Sequence, residues 1–367
     1  MNYKYTAAEL QWLQLRPLGE QYNTAVTRII DAIKETKGDI LICFSGGKDS
    51  ALLLDMYCEI AAKMFDITKV HVGYADTTNE TKTMRKYVPW FVDRCENKYG
   101  VKIHLITTRP KNNVTFASVI KEKGVPFISK QTAGMIRKTK SCMDAAGVSY
   151  EDVIKYAKAD IHSRDSLREM GFSDSAILSL TGWSCNRNDF GKSFVIAKQW
   201  LPLLNCEIPL TERCCSILKE EPLHNLKYPA EMTGEQANES RNRANEWLKN
   251  GCNYHIPSGG YKSKPFGSLS AQAILYAIHY RGLPLSHDYG EVIRCGDCFK
   301  CTKAQRTGCS LCGFGIKFDP ERFVRLAETE PEKIAWAFKP RAEGGAGYRE
   351  LCEYSNEYCG TKIVIPR

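Results

Sequence analysis

Between residues 18 and 36 the apolar positions Tyr22, Ala25, Val26, Ile29, Ile30 and Ile33 recur at helical spacing, which predicts a helix delivering the chain to Gly38. Residues 39–44 form a short, nearly continuous apolar run of the kind a buried parallel strand shows, and helical spacing returns over 50–64. The same order then repeats, with a strand over 69–75, a helix over 80–99 and a strand over 101–107. Strands alternating with long helices imply an α/β fold, a mostly parallel twisted sheet with helices on both faces. Ligands on such sheets bind beyond the carboxyl ends of the strands, and the turns after residues 44 and 75 lie there.

The remainder is patterned less regularly. Residues 129–179 read as helical and polar, and a strand-like segment falls around Ser193 to Ile196. Helical spacing resumes over 233–250 and over 270–280, the latter after a Gly/Ser/Lys/Pro-rich loop at 257–268. From Val292 onward cysteines crowd the chain, an amphipathic helix is predicted over 320–335, and the tail after Lys339 is Gly-rich. The expected division is therefore residues 1–290 as one α/β domain with an N-terminal helix. Residues 291–367 would form a Cys-rich segment and helical tail packing on it.

Composition narrows the class. The chain has 367 residues, 43% hydrophobic and 25% charged, as a soluble globular protein does. Apolar runs such as 40–44 and 273–278 fall far short of the ~20 residues of a membrane span, and no secretory pattern opens the chain, so a cytoplasmic protein with no membrane partner is expected. Sixteen cysteines in a reducing compartment read first as metal ligands or redox groups. The net charge is +9, and residues 121–140 hold six basic residues against one acidic. That stretch suits an anionic partner, nucleotide or nucleic acid, or equally a solvated helix face.

Ser45-Gly46-Gly47-Lys48-Asp49-Ser50 stands where the first strand ends and a helix begins. Two glycines let the backbone turn tightly and present N–H groups to an anion, and the helix N-terminus adds partial positive charge. Ser45 and Ser50 bring hydroxyls, Lys48 a cation, and Asp49 a carboxylate suited to Mg²⁺. The spacing is too short for the GxxxxGK[ST] loop of common kinases and ATPases. The alternative is a glycine turn that merely starts a helix.

This loop resembles the pyrophosphatase (PP) loop of the N-type ATP pyrophosphatase superfamily, and further segments resemble its phosphoadenylylsulfate (PAPS) and adenylylsulfate (APS) reductase branch. They are Asp76-Thr77 with Glu80, Gly124-Val125-Pro126, the run Cys214-Cys215-x3-Lys219-x2-Pro222-Leu223, and Gly234 to Arg243, where Gln236 replaces an expected arginine. The resemblance spans about residues 30–315. It implies an adenine nucleotide at Ser45 to Ser50, with Lys48 and Asp49 catalytic, and Asp76, Thr77, Lys219 and Arg243 as nucleotide contacts. Asp76 suits metal or ribose, or a cap on the following helix, and Lys219 and Arg243 are alternatively surface salt bridges. The resemblance also implies a 4Fe–4S cluster on Cys214, Cys215, Cys309 and Cys312, four thiolates being the right ligand set.

Cys295, Cys298 and Cys301 are extra to that pattern. With Cys309 and Cys312 they give two CxxC pairs, so zinc is a rival metal, although the connecting loop is short for a zinc ribbon. They read otherwise as a redox group or as unliganded thiols. The branch carries a nucleophilic cysteine in a C-terminal E-C-G-[IL]-H motif. Here Cys359-Gly360 remains, with Tyr358 for Glu and Lys362 for His, and Cys359 is the candidate nucleophile. His287, beside Asp288 and Tyr289, reads as structural.

Two enzyme readings follow, with a third beside them. One is cleavage of ATP with Mg²⁺ between the α and β phosphates, activating an acceptor for sulfur transfer from a sulfur donor. Another is thiol-dependent reduction of APS or PAPS to sulfite with a thiol reductant protein. The third is a nucleotide- or nucleic-acid-binding accessory protein without turnover, using residues 121–140 and the basic residues Arg294, Lys300, Lys303 and Arg306.

Overall fold

The computed structural model describes residues 3–157, 160–185, 191, 194–257 and 259–367. Its strands, in chain order, are β1 (Leu41–Cys43), β2 (Lys69–Ala75), β3 (Lys102–Thr108), β4 (Phe127–Ile128), β5 (Ala230–Met232), β6 (Asn253–His255), β7 (Tyr261–Ser263), β8 (Val292–Cys295), β9 (Cys298–Cys301) and β10 (Gly313–Phe314). The first four helices are α1 (Ala7–Leu15), α2 (Leu18–Thr36), α3 (Lys48–Phe65) and α4 (Lys82–Tyr99).

Six strands form one sheet in the order β3-β2-β1-β5-β7-β6. Every pairing is parallel except that of the edge strand β6 with β7. The mostly parallel sheet follows from the sequence pattern. The apolar run at 39–44 is buried at Ile40, Leu41, Ile42 and Phe44, as a strand covered on both faces requires. Helix α3 is buried without a break from Ser50 to Cys58, so it lies inside the unit rather than on its surface. Its fully buried Asp55 carboxylate accepts from Arg94 (3.1 Å), Lys98 (3.3 Å) and Arg281 (2.7 Å). Burial raises the pKa of that carboxyl, but Arg281, Lys98 and Tyr99 together lower it more, so Asp55 stays ionised and ties α3 to α4 and to the end of helix Ala271–Tyr280.

The chain forms two compact units. One comprises Met1–Pro110 and Lys219–Gly308, the other Lys111–Leu218 and Cys309–Arg367. This division differs from the expected boundary at 290, and the apolar cores give the reason. The sheet unit closes around Ile29, Ile33, Ile42, Phe44 and Leu53, and hairpin β8–β9 stays with it because Phe299 and Cys301 pack with Leu275 and Tyr289. Residues 309–367 instead share a core with 111–218, built on Phe127, Ile136, Leu180, Trp200, Phe323 and Tyr348. Strand β10 pairs with β4 in that second unit.

Several expected elements end differently. The helix expected over 233–250 begins at Arg241, because Ser240 caps it by accepting from the Arg243 N–H. The helix over 320–335 is two, Arg322–Thr329 and Pro331–Ala337, since Pro331 cannot continue the first. In the segment expected as a strand, Ser193 lies outside the described residues, and Phe194 to Ile196 form no strand. In the tail, expected to be helical, the helix runs over Tyr348–Cys359.

Candidate functional site

In the sheet unit, β1 ends at Cys43 and α3 begins at Lys48, so the loop between them caps the carboxyl end of the central strand. Gly46 has φ of +75°, and a Cβ there would meet the Met84 sulfur at 2.2 Å, so only glycine makes this turn. Ser45 Oγ and Ser50 Oγ stand 3.2 Å apart, and the Ser50 hydroxyl donates to the Gly47 carbonyl at 2.9 Å. Gly47 occupies the cap position of α3 with no side-chain cap, and the Lys48 N–H is met by the Tyr289 hydroxyl.

Lys48 Nζ lies 2.9 Å from the Asp49 carboxylate. Burial opposes the Lys48 charge, but Asp49, with Tyr289 and Cys301, outweighs it and holds the ammonium above its ordinary value. The other Asp49 oxygen accepts from Gln236 Nε2 at 2.8 Å. Gly234 brings that segment in, since a Cβ on it would stand 2.9 Å from the Asp49 carbonyl. The position at which an arginine was expected thus carries a neutral donor that orients Asp49. Tyr289 closes another side, its hydroxyl 3.5 Å from where a Gly47 Cβ would be and accepting from Thr307 Oγ1 at 2.7 Å. Cys301 is buried within electrostatic reach of Lys48 and Asp49, and burial pushes its thiol up.

The other predicted contacts are placed unevenly. Asp76 is buried and accepts from both Nε (2.9 Å) and an Nη (2.6 Å) of Arg109, and from the Thr78 N–H at 3.0 Å. Burial raises its carboxyl, and the Thr78 and Arg109 donors more than reverse this. The cap of α4 is Thr81, so the capping alternative for Asp76 does not hold. Thr77 donates to Glu80 through its hydroxyl (2.5 Å) and its amide (3.1 Å), which closes the acidic turn. Lys219 lies in electrostatic reach of Cys43 and Glu235. Arg243 is bracketed by Glu235 (3.1 Å) and Glu239, and Glu239 also receives Arg306 (2.9 Å), so its charge is balanced inside the protein. His287 stands 2.7 Å from Lys303 Nζ, a structural contact, while its neighbour Tyr289 is the residue that meets the loop.

The second unit brings together Cys214, Cys215, Cys309 and Cys312, from two segments far apart in the chain. Cys215, then burial, then the thiols of Cys312 and Cys309 hold Cys214 far above the ordinary thiol range. Burial pushes Cys312 up to about 12, with Cys309 and Cys215 adding to it and Arg322 opposing. The four thiols converge, but among the described residues no group of three or more His, Cys, Asp or Glu is arranged to hold a metal ion. The Cys214-Cys215 pair leads into a π-helical turn at Ser216–Glu220. Arg322 donates to the Cys309 carbonyl at 2.9 Å, which orders the CxxC turn.

Cys359, the candidate nucleophile, ends helix Tyr348–Cys359 and is 5% exposed. Burial pushes its thiol up to about 11, and Lys362 is not among the groups acting on it. A thiol so placed is a protonated core side chain at neutral pH. Part of the basic stretch 121–140 is paired within the protein. Arg137 pairs with Glu212 at 2.7 Å, Lys140 donates to the Cys206 carbonyl, and Lys123 stands against Glu122 at 2.5 Å. Gly124-Val125-Pro126 serves structure too, with Val125 bridging to Leu210.

Residues 39–160 match the family model for the phosphoadenosine phosphosulfate reductase domain. The likeness to that domain rests on this segment. It holds the phosphate loop and Asp76, whereas the convergent cysteines lie outside the matched residues. Among solved structures, the chain is similar to a phosphoadenylyl-sulfate (PAPS) reductase from Candida auris in a phosphate complex. The two are 10% identical, with 78% of this chain and 92% of that one covered, at a TM-score of 0.33. No curated protein matches the chain. Among the described residues no helix is long and apolar enough to cross a membrane.

Proposed function

We propose that the chain binds an adenine nucleotide at Ser45–Ser50 and cleaves ATP between its α and β phosphates, activating an acceptor for sulfur transfer. The observation that carries this reading is the Lys48–Asp49 pair at the start of α3, with Asp49 oriented by Gln236. Lys48 stays protonated at neutral pH and neutralises phosphate oxygens, while the amides at the start of α3 donate to them. Asp49, with lone pairs left beyond its two partners, and the Ser45 and Ser50 hydroxyls form an oxygen donor set suited to Mg²⁺. When bound, that ion would neutralise charge on the leaving pyrophosphate. Positioning and charge neutralisation then supply the rate, with no covalent step by the protein.

A second reading, reduction of APS or PAPS to sulfite, is favoured by the PAPS reductase domain match over residues 39–160. It needs an accessible thiolate, and burial of Cys359 counts against that residue as its source. Offering ATP with Mg²⁺, APS and PAPS in parallel separates the readings. Release of AMP and pyrophosphate from ATP supports the first, and sulfite release overturns it in favour of the second.

The same proposal assigns a 4Fe–4S cluster to Cys214, Cys215, Cys309 and Cys312. Support comes from the convergence of four thiols and from their chemistry as soft ligands. Chain prepared without oxygen should be brown, with about four irons per chain. Colourless protein holding zinc alone would remove the cluster.

A further inference from the structure

Cys295 and Cys298 are absorbed by none of these roles. They face each other as directly paired residues at the end of hairpin β8–β9, joined by the two-residue turn Gly296-Asp297. Gly296 has φ of +60°, the position glycine occupies in a type II′ hairpin turn, and this turn sets the register. Directly paired residues put their side chains on one face, with Cα atoms about 4.5–5.5 Å apart, inside the ~4.4–6.8 Å window a disulfide requires. Both cysteines are exposed. Cys301, three residues on, is buried with Tyr289 and Leu275 and so points away from the pair. Two thiols are half of a tetrahedral metal site, and no further ligand group is arranged beside them among the described residues.

We propose that Cys295 and Cys298 form a redox-active dithiol at the hairpin tip that exchanges with a low-molecular-weight thiol–disulfide couple of the glutathione type. Molecules of this type carry net negative charge at neutral pH through their carboxylates, and Arg294 and Lys300 flank the pair against a single carboxylate, Asp297. In the oxidative direction one cysteine thiolate attacks a sulfur of the small disulfide, forming a mixed disulfide and expelling one small thiolate. The second cysteine, losing its proton, attacks the protein sulfur of that mixed disulfide and expels the other. The dithiol loses two electrons and two protons, and two small thiols form. The proposal does not depend on the nucleotide chemistry proposed above.

The sequence makes the test clean, because tryptic cleavage after Arg294 and Lys300 isolates both thiols on one peptide without Cys301. Intact protein is equilibrated without oxygen against glutathione and its disulfide over a range of ratios, quenched with an alkylating reagent and digested. The peptide should pass from doubly alkylated to unalkylated and two hydrogens lighter as the ratio becomes oxidising, and return under reductant. Cys298→Ser should instead trap glutathione on Cys295. A peptide that stays doubly alkylated at every ratio overturns the proposal. So do separate glutathione adducts on both cysteines of the unsubstituted chain, or protection traced to stoichiometric zinc.

Discussion

Two groups of cysteines dominate the later half of the chain, and they behave oppositely. Cys295, Cys298 and Cys301 are neighbours in sequence, yet the strand period separates them, the first two to an exposed hairpin tip and the third inward toward the phosphate loop. Cys214 and Cys215 are remote in sequence from Cys309 and Cys312, yet a shared core that includes Cys214, Leu311 and Tyr348 draws the four together. Close spacing is therefore a poor guide to shared chemistry when the intervening backbone is a strand, and wide spacing is no obstacle when both segments close one core.

The comparison can be broken at its strongest point first. Cys312→Ala should strip the iron from the chain, from about four atoms to near none, while Cys295→Ala combined with Cys298→Ala leaves it in place. Iron content of the two purified variants checks this, and the reverse pattern would exchange the roles of the groups.

Next in size is the phosphate loop that Cys301 faces. Lys48→Ala should weaken ATP affinity by about 30-fold or more, since removing one partner of a buried charge pair costs ~2 kcal/mol or more. Calorimetric titration with ATP and Mg²⁺ measures it, and unchanged affinity removes the loop assignment. Cys301→Ala, which leaves a small void beside the same loop, should shift affinity by at most about fivefold, or ~1 kcal/mol. Cys298→Ala, at the tip, should leave it unchanged, and equal effects would mean that the strand does not divide them.

The smallest effect concerns Cys359. Its raised value favours the protonated thiol in the folded state, so its contribution to stability is complete below the ordinary thiol value and is lost as pH rises from there through about 11. Alkylation of native protein at this cysteine should therefore be slow at pH 8 and quicken steeply toward 11, while the exposed Cys295 and Cys298 are labelled ahead of it. Rapid labelling of Cys359 at pH 8 would restore it as a nucleophile.

Much of the sheet unit was legible because its signals are local. The apolar run at 39–44, the helical spacing of α2 and α3 and the SGGKDS turn each declare themselves within a few residues, and β2 spans the expected 69–75. Strands β5 to β7 were missed because three-residue strands carry too few alternations to register. Tyr289, Thr307 and Arg109 were missed as site residues because nothing near them in sequence marks them, and Gln236, inside the Gly234–Arg243 segment, was noted only for the arginine it replaces. Their significance is the atom they meet, at Asp49, at Gly47 and at Asp76.

Sequence alone determined the strand–loop–helix that builds the phosphate site, since glycine conformations and apolar periodicity act over neighbouring residues. It also determined which residue types are available as ligands. Tertiary structure decided which of those residues share a unit, because the two apolar cores close over segments that alternate along the chain. It withdrew Cys359 into a core and placed Cys295 opposite Cys298, because burial and strand register depend on what packs across a gap in sequence.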